Sequence, residues 1–218
     1  MKKFGGMHYP VGEVHMIEWL KRNGQLVNGR VIYQWKKQVA VYDACKQYRT
    51  AVDIGAHVGT WSINMADAFE HVHAFEPVEE HRQCFEANVG PRENVTLHAL
   101  ALGARDGVVT ITRDPQNSGA SHVSATPGAV TVRMTTLDSF KLEEVDLIKM
   151  DVEGYEANVI AGARETILRC RPIICCEQKR DFATKFGVKA TAATDALREL
   201  GMVQLREMGG DFIMGWAS

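Results

Sequence analysis

The sequence predicts an α/β fold with a mostly parallel sheet, and two observations support this prediction. First, the mostly apolar residues 51–54 lead into a turn bounded by glycines, a helical pattern follows, and a second mostly apolar stretch, 72–75, leads to Glu76, 17 positions after Gly59. That spacing is typical of a strand–helix–strand unit with parallel strands. Second, the mostly apolar residues 145–150 are followed directly by acidic residues and another helical pattern. With 218 residues, 45% of them hydrophobic, the chain is long enough for one sizeable core.

The turn at residues 55–59 indicates which ligand it would accept. Gly55 and Gly59 allow a tight turn and let the backbone approach a ligand where a Cβ would intrude. The dinucleotide pattern Gly-x-Gly-x-x-Gly is absent, because Ala56 and His57 stand where a closer glycine is needed. Asp53 would repel a phosphate there but attract an ammonium group. S-adenosylmethionine, which has an adenosine, a sulfonium and an amino-acid tail but no phosphate, meets these demands.

The elements that flank this turn have separate expected roles. Thr60 is predicted to cap a helix that begins near Trp61. Trp61, Met65 and Phe69 recur every four residues, so they form one apolar stripe that packs on the sheet. Glu76 follows the next strand, where its carboxylate is placed to accept two hydrogen bonds from a ribose diol.

A second group of candidate residues follows the strand at 145–150. Asp151, Glu153 and Glu156 come at its carboxyl end, which in an open α/β sheet borders the ligand crevice. The alternative is that Asp151 and Glu153 only favour the positive end of the following helix. Lys149 stands inside the strand, where its ammonium needs a carboxylate partner, and this partner is expected among its acidic neighbours. Glu177 ends the buried run 171–176 and is either a substrate contact at the same edge or that partner.

Taken in order, these motifs resemble those of the FkbM family of S-adenosylmethionine-dependent methyltransferases. The resemblance covers roughly residues 51 to 178 and rests on an ordered series of short motifs. They are residues 52–60, residues 74–77 with Asn88, residues 136–138, residues 147–156 with Gly162 and Ala163, residues 171–174 and Glu177.

The resemblance implies a seven-stranded, Rossmann-like methyltransferase fold with a C-terminal antiparallel hairpin, and S-adenosylmethionine as methyl donor. It also implies an acceptor oxygen on a sugar or other small metabolite. By this resemblance the methionine end of the donor meets Asp53, Gly55 and Gly59, its ribose meets Glu76, and its adenine lies near Ala101 and Leu102. The full set of expected donor contacts is Asp53, Gly55, Ala56, His57, Gly59, Thr60, Glu76, Pro77, Ala101 and Leu102.

The rest of the chain is expected to complete one domain. Residues 1–50 are predicted to form a helical appendage, since apolar residues recur at helical spacing in two stretches, 14–20 and 31–48. Aromatic residues at such spacing favour a core role over a substrate contact, although these helices are well placed to cover the crevice. Residues 51–218 are predicted to form the methyltransferase domain. Alternating residues 130–134 are expected to pair with 108–112, and residues 202–205 with 212–216. Residues 114–128 have turn composition and are predicted to form a loop over the acceptor.

Composition excludes several other kinds of site and partner. The net charge of −2 gives no field that would draw the protein onto nucleic acid. Five cysteines without a Cys-x-x-Cys pair argue against a disulfide framework or a structural zinc site and favour a reducing cytoplasm. We find neither a secretory segment nor an apolar run long enough to span a membrane. Asp151 or Glu153 has the chemistry to hold magnesium, but no metal is predicted.

The expected reaction is in-line transfer of the sulfonium methyl group to an acceptor hydroxyl held in a dry cleft. Asp151 or Glu153 would act as general base or position the acceptor, Glu177 would contact it, and Lys149 would stabilise the developing alkoxide. The alternatives are methylation of an RNA ribose 2′-hydroxyl, a nicotinamide-dependent oxidoreductase and a non-catalytic binding module. A DNA amino-methyltransferase is disfavoured because residues 151–154 read Asp-Val-Glu-Gly and not Asp/Asn-Pro-Pro-Tyr/Phe.

Overall fold

The computed structural model describes residues 1–124, 130–178 and 183–217. Its strands in chain order are β1 (Lys2–Phe4), β2 (Met7–Tyr9), β3 (Gln25–Val27), β4 (Arg30–Ile32), β5 (Thr50–Ile54), β6 (His71–Phe75), β7 (Val95–His98), β8 (Ala101–Leu102), β9 (Gly107–Thr112), β10 (His122–Val123), β11 (Val130–Thr135), β12 (Val145–Met150), β13 (Ile173–Glu177), β14 (Met202–Met208) and β15 (Asp211–Trp216). Its α-helices are α1 (His15–Asn23), α2 (Trp35–Tyr42), α3 (Ser62–Ala68), α4 (Glu79–Val89), α5 (Glu156–Ala161), α6 (Arg164–Cys170) and α7 (Ala192–Glu199).

The predicted α/β architecture with a large, mostly parallel sheet is confirmed. The central sheet has the strand order β14-β15-β13-β12-β5-β6-β7. The five strands from β13 to β7 run parallel, whereas β15 pairs antiparallel with both β13 and β14. Because β5, β6, β12 and β13 are parallel neighbours, their carboxyl ends meet at one edge, where a ligand crevice is expected.

A smaller sheet lies beside the central one. Its order is β10-β9-β11-β8, in which β9 and β11 pair antiparallel as the alternating pattern predicts. Strand β8 pairs parallel with the end of β11, which places Ala101 opposite Met134. The segment predicted as a loop contains a 3₁₀ turn at Ser118–Ala120 and strand β10. The remainder of that segment, residues 125–128, lies outside the described residues.

The N-terminal segment contains the two predicted helices, α1 and α2, but also two hairpins that were not predicted. Strands β1 and β2 pair antiparallel, as do β3 and β4, so residues 30–32 are strand and not helix. Strands of three residues are too short to show a period of two. The available signal was the Asn28-Gly29 pair, which favours a tight hairpin turn and here adopts φ values of 49° and 79°.

The N-terminal segment shares a hydrophobic core with the parallel sheet. Met7, Tyr9 and Leu20 are buried in one cluster with Ala56 and Phe85. The predicted stripe on α3 packs into another cluster, where its three members Trp61, Met65 and Phe69 are at most 3% exposed. The helical pattern after β12 is divided at Gly162 into α5 and α6, and Leu168 is 40% exposed and not part of the buried face.

Candidate active site

A cavity of about 380 Å³ lies at the carboxyl ends of β5, β6 and β12, within the size range of small-molecule sites. Ten of the residues named from sequence line it: Gly55, His57, Thr60, Glu76, Pro77, Ala101, Leu102, Lys149, Asp151 and Glu153. Among the described residues, Asp53, Ala56, Gly59 and Glu177 were also named but do not line the cavity.

The two glycines of the turn adopt the left-handed backbone that their residue type allows, with φ of 74° at Gly55 and 87° at Gly59. The close approach that excludes a side chain is, however, made by the protein and not by a ligand. A Cβ at Gly55 would overlap the carbonyl oxygen of Asp151, and one at Gly59 would lie 2.7 Å from Val89 Cγ2. Gly55 therefore lets the turns after β5 and β12 meet, and Gly59 lets α4 pack on its turn.

Thr60 does not cap the following helix. Helix α3 begins at Ser62, so its N-cap residue is Trp61, and no side chain forms a capping hydrogen bond there. The Thr60 carbonyl instead accepts hydrogen bonds from Gln38 Nε2 at 3.4 Å and Asn64 Nδ2 at 3.3 Å. The helix start is thus held by amide side chains from α2 and α3, a tertiary contact that a local capping rule does not anticipate.

Glu76 is held rigidly at the end of β6. One of its carboxylate oxygens accepts the His57 amide N–H and the other accepts the Val78 amide N–H, each at 2.8 Å. His81 Nδ1 lies 3.3 Å from the second oxygen, and Glu76 is only 4% exposed. Each carboxylate oxygen has two acceptor positions, so these contacts leave capacity for a ligand in the cavity.

Asp53 lies within β5 and not in the turn, and the ammonium group that it attracts is that of Lys149. Lys149 Nζ is 3.0 Å from Asp53 Oδ1 and donates to the Gly55 carbonyl at 2.9 Å. Ser62 Oγ donates to the other Asp53 oxygen at 2.6 Å. Burial lowers the pKa of Lys149, but the charges of Asp53 and Asp151 outweigh it and hold that pKa above the usual lysine value. The lysine is therefore charged and fixed beside the cavity.

The carboxyl ends of β12 and β13 carry an acidic cluster of Asp151, Glu153 and Glu177, whose nearest carboxylate oxygens lie within 4.8 Å of one another. Sequence reasoning thus placed all three at one edge correctly, although Glu177 does not reach the cavity. Glu153 adopts a left-handed backbone with φ of 56° at the turn into α5. Such strain in a residue other than glycine is common in ligand-binding regions.

The carboxylate that accepts hydrogen bonds from the backbone at the start of α5 is that of Glu156. Its Oε1 accepts the amide N–H groups of Val152 at 2.9 Å and Gly154 at 3.2 Å. Burial raises the pKa of Glu156 to about 7 despite these hydrogen bonds. The helix-start role considered for Asp151 and Glu153 therefore belongs to Glu156, and those two residues face the cavity.

A buried chain of hydrogen bonds connects the N-terminal segment to the turn at residues 55–59. Sequence reasoning did not predict it. The fully buried Glu13 accepts both the backbone N–H of Ser118, at 2.7 Å, and its hydroxyl. Ser118 Oγ lies 2.8 Å from His57 Nε2. Burial, followed by His81 and Lys149, holds the pKa of His57 well below its usual value, so its ring is neutral. Because Ser118 donates its only proton to Glu13, its oxygen accepts from His57.

The N-terminal segment also forms part of the cavity wall, as expected for elements that cover the crevice. Met16, Trp19 and Tyr33 line the cavity. The rings of Trp19 and Tyr33 meet edge to face, with centroids 4.6 Å apart. Gln34 joins Tyr33 to the start of α3, because its side-chain amide donates to the Tyr33 hydroxyl at 3.0 Å and accepts from Trp61 Nε1 at 3.3 Å. The helical spacing of aromatic residues had favoured a plain core role for this region.

Comparisons with known proteins agree with this fold. The model of the methyltransferase FkbM domain matches residues 53–204. The 2-O-methyltransferase NoeI of Sinorhizobium fredii is 29% identical over a match that covers 44% of this chain and 49% of NoeI. The chain thus spans about half the length of that relative.

Two solved structures have a similar backbone arrangement. The FkbM methyltransferase of Methylobacillus flagellatus KT is 17% identical, with a TM-score of 0.51 over 78% of this chain and 44% of that one. A Streptococcus mutans protein assigned as a methyltransferase and crystallised with SAH is 9% identical, with a TM-score of 0.52 over 83% of this chain and 94% of that one. At such identities the likeness concerns the fold alone.

None of the helices in the described residues is both long and apolar enough to cross a membrane. The match to the family model extends from the Asp53 of β5 through the acidic end of β12 to β14, and so includes each strand end that borders the cavity. From the order of its motifs, the sheet that positions them and this match, the chain belongs to the FkbM methyltransferase family.

Proposed function

We propose that the protein is an S-adenosylmethionine-dependent O-methyltransferase that acts on a hydroxyl of a sugar or other small metabolite. The proposal rests above all on one observation: Glu76 and Asp151, from the carboxyl ends of two strands of one sheet, line the same cavity. A sugar-binding acid and an acceptor-side acid therefore face one enclosed space. The name of the relative NoeI, a 2-O-methyltransferase, supports transfer to oxygen.

The residues of the cavity fit the chemistry of the donor. The Glu76 carboxylate is fixed by two backbone N–H groups and retains acceptor capacity for a ribose diol. Ala101 and Leu102 are buried and supply an apolar wall for the adenine. The turn at residues 55–59 lacks the third glycine that a pyrophosphate would need. Because Asp53 is paired with Lys149, the role proposed for it is to hold that lysine and, through it, the Gly55 carbonyl.

The donor supplies, when bound, an electrophilic methyl group on a sulfonium. The acceptor oxygen forms the new C–O bond as the C–S bond breaks, and the hydroxyl proton leaves to a base. Asp151 is proposed as that base, because it is half-exposed in the cavity beside the turn of Gly55. Glu153 lies 7% exposed and is proposed to position the acceptor. Lys149 has one N–H beyond its two contacts with which to stabilise the developing negative charge.

Calorimetric titration with S-adenosylhomocysteine tests the donor site. Glu76→Ala is expected to weaken binding by about 10-fold or more, because a hydrogen bond to a charged acceptor contributes about 1.5–3 kcal/mol. The matched control is Glu79→Ala, which removes an exposed carboxylate three positions further along the chain. Unchanged affinity in the Glu76 variant, or no affinity in the folded wild type, would contradict the proposal.

Single-turnover measurements test the acceptor side. Asp151→Asn is expected to lower the rate of methyl transfer by about 10²–10⁴-fold, the usual contribution of a general base. Affinity for S-adenosylhomocysteine should stay within about twofold of the wild type, since the carboxylate acts on the acceptor. If Glu153→Gln lowers the rate more than Asp151→Asn does, the two roles are exchanged.

A further inference from the structure

We infer that Trp19 and Tyr33 form the wall of the acceptor subsite, and that this subsite selects an uncharged, hydroxyl-bearing ring over acceptors that carry phosphate or carboxylate. The inference rests on the proposed function. Trp19 and Tyr33, which it assigns to the acceptor subsite, lie outside residues 53–204, the stretch matched by the family model. The aromatic wall of the acceptor subsite would therefore be supplied by the N-terminal segment, and the donor contacts and acceptor-side charges by the family motifs.

The position of Tyr33 at the acceptor end follows from its surroundings. Tyr33 lines the same cavity as Lys149, Asp151 and Glu153. Burial, followed by the charges of Asp151, Glu177 and Glu153, raises the pKa of the Tyr33 hydroxyl far above its usual value. Those carboxylates therefore lie near the phenol, and Tyr33 belongs to the part of the cavity that holds the proposed base. The neutral hydroxyl accepts from Gln34 and keeps its own proton for donation.

The shape of the wall suits a ring with one apolar face. The edge-to-face contact between Trp19 and Tyr33 presents aromatic surface with a polar tip, which packs against C–H groups while the tip forms a hydrogen bond. Gln34 fixes the Tyr33 hydroxyl, because the same amide side chain also holds Trp61 Nε1. The carboxylates of Asp151 and Glu153, which line the same cavity, can accept hydrogen bonds from ring hydroxyls. An aromatic wall in one cavity with carboxylates is thus complementary to a cyclic polyol.

The charge of this end opposes anionic acceptors. Asp151 and Glu153 line it, and a carboxylate oxygen of Glu177 lies within 4.8 Å of theirs although Glu177 does not reach the cavity. Lys149 is the single lysine or arginine among the described residues that line the cavity, and its ammonium is already paired with Asp53. Four histidines also line the cavity, namely His15, His57, His81 and His122. The pKa of His57 is held well below its usual value, so its ring is neutral, and His81 Nδ1 lies 3.3 Å from Glu76 Oε1. Recognition of a phosphate group normally uses arginine or an unpaired lysine, and neither is found among the described lining residues, so a phosphorylated acceptor would meet the acidic cluster without its usual counter-charge.

Paired acceptors test the charge selectivity. Methyl glycosides of glucose, mannose, galactose and N-acetylglucosamine are each compared with the corresponding 6-phosphate, using donor labelled in its methyl group and the full-length chain. We expect transfer to at least one neutral member, with kcat/KM at least 10-fold above that of its phosphorylated partner. Equal or better transfer to the phosphorylated member would overturn the inference. So would the absence of transfer to every member by protein that binds S-adenosylhomocysteine.

Variants test the wall itself. Trp19→Ala is expected to raise KM for the neutral acceptor about 10-fold, with S-adenosylhomocysteine affinity within about twofold of the wild type. Trp19→Phe keeps an aromatic face and should recover most of the loss. Tyr33→Phe should raise KM about two- to tenfold, the effect of one neutral hydrogen bond. Leu26→Ala is the matched control, because Leu26 lies in the same segment but is 74% exposed.

These outcomes separate the inference from the proposed function. If the Trp19 and Tyr33 variants weaken S-adenosylhomocysteine binding and leave the acceptor KM unchanged, the wall belongs to the donor site and the inference is wrong while the proposed function stands. If the folded wild type does not bind S-adenosylhomocysteine, the proposed function itself fails. Loss of structure in Trp19→Ala would appear in its circular dichroism, and Tyr33→Phe, which removes a single hydroxyl, then carries the test.

Discussion

Lys149 Nζ lies 3.0 Å from Asp53 Oδ1, and the two residues occupy directly paired positions on the neighbouring parallel strands β12 and β5. Both side chains are buried, with 0% of Asp53 and 6% of Lys149 exposed. A charge inside a sheet is tolerated when its partner lies across the ladder. The pair therefore joins the two strands that carry the glycine turn and the acidic end, and fixes their spacing at the cavity.

Breaking this pair should destabilise the protein strongly. Lys149→Met leaves the Asp53 carboxylate buried without its cation, and we expect a loss of about 3–5 kcal/mol in the free energy of unfolding. The measurement is urea denaturation followed by circular dichroism. The double variant Asp53→Asn with Lys149→Met removes both charges and should lose less than the sum of the two single losses. Additive losses would show that the ion pair does not couple the strands.

The chain from Glu13 through Ser118 to His57 should contribute to stability and to donor binding together. Ser118→Ala removes the hydroxyl between Glu13 and His57, and we expect a loss of about 1–3 kcal/mol because buried polar groups lose a partner. Affinity for S-adenosylhomocysteine should also fall, since His57 donates its backbone N–H to Glu76. The comparison variant is Ser121→Ala, which removes a nearby hydroxyl that donates to the Ser118 carbonyl at 2.9 Å and leaves the Ser118 side chain in place. Equal effects of the two variants would contradict this prediction.

Gly55 and Gly90 allow the effect of steric overlap to be separated from that of backbone strain. Both have positive φ, 74° and 67°, but an added Cβ meets the Asp151 carbonyl at Gly55 and nothing within 4 Å at Gly90. Gly90 has φ of 67° and ψ of −168°, a backbone conformation that is essentially confined to glycine, so Gly90→Ala should cost about 1–3 kcal/mol from backbone strain alone. Gly55→Ala should cost several kcal/mol more or prevent folding, as measured by chemical denaturation. Similar losses at both positions would mean that the two turns can separate freely.

Glu156 should make stability depend on pH. Its pKa in the folded chain, about 7, lies above the usual value of 4.5, so the folded state binds its proton more tightly. The resulting stabilisation is fully present below about pH 4.5 and is lost as the pH rises through 7, with a total of about 3 kcal/mol. Glu156→Gln carries no charge and should gain stability relative to the wild type over that interval.

Unfolding free energies measured between pH 4.5 and 8 check this prediction. The control is Glu165→Gln, which changes an exposed carboxylate on the next helix, α6, and should keep the wild-type profile. A Glu156→Gln variant whose stability runs parallel to that of the wild type at every pH would show that Glu156 does not titrate differently in the folded state.

Local sequence was sufficient to locate β5, β6, β12 and β13 and the acids that follow them. Buried parallel strands are continuous apolar runs, so their ends are visible in the sequence, and the topology of such sheets brings those ends to one edge. Positions such as Glu76, Asp151 and Glu177 follow from this rule alone. The short N-terminal hairpins could not be predicted in this way, because three-residue strands have no measurable periodicity.

The partners of the polar groups depended on contacts between distant parts of the chain. Lys149 is bound to Asp53 and not to its acidic sequence neighbours, because β5 happens to be the adjacent strand with matching register. Glu13 meets Ser118, 105 positions away, and Trp19 and Tyr33 close the cavity from a segment whose pattern indicated ordinary core. Periodicity and spacing thus predicted the fold class and the edge of the sheet where the acidic residues lie, and the ordered motifs indicated the family. Strand order and long-range packing determined which charges are neutralised there and which side chains line the cavity, since both depend on residues that meet only once the chain has folded.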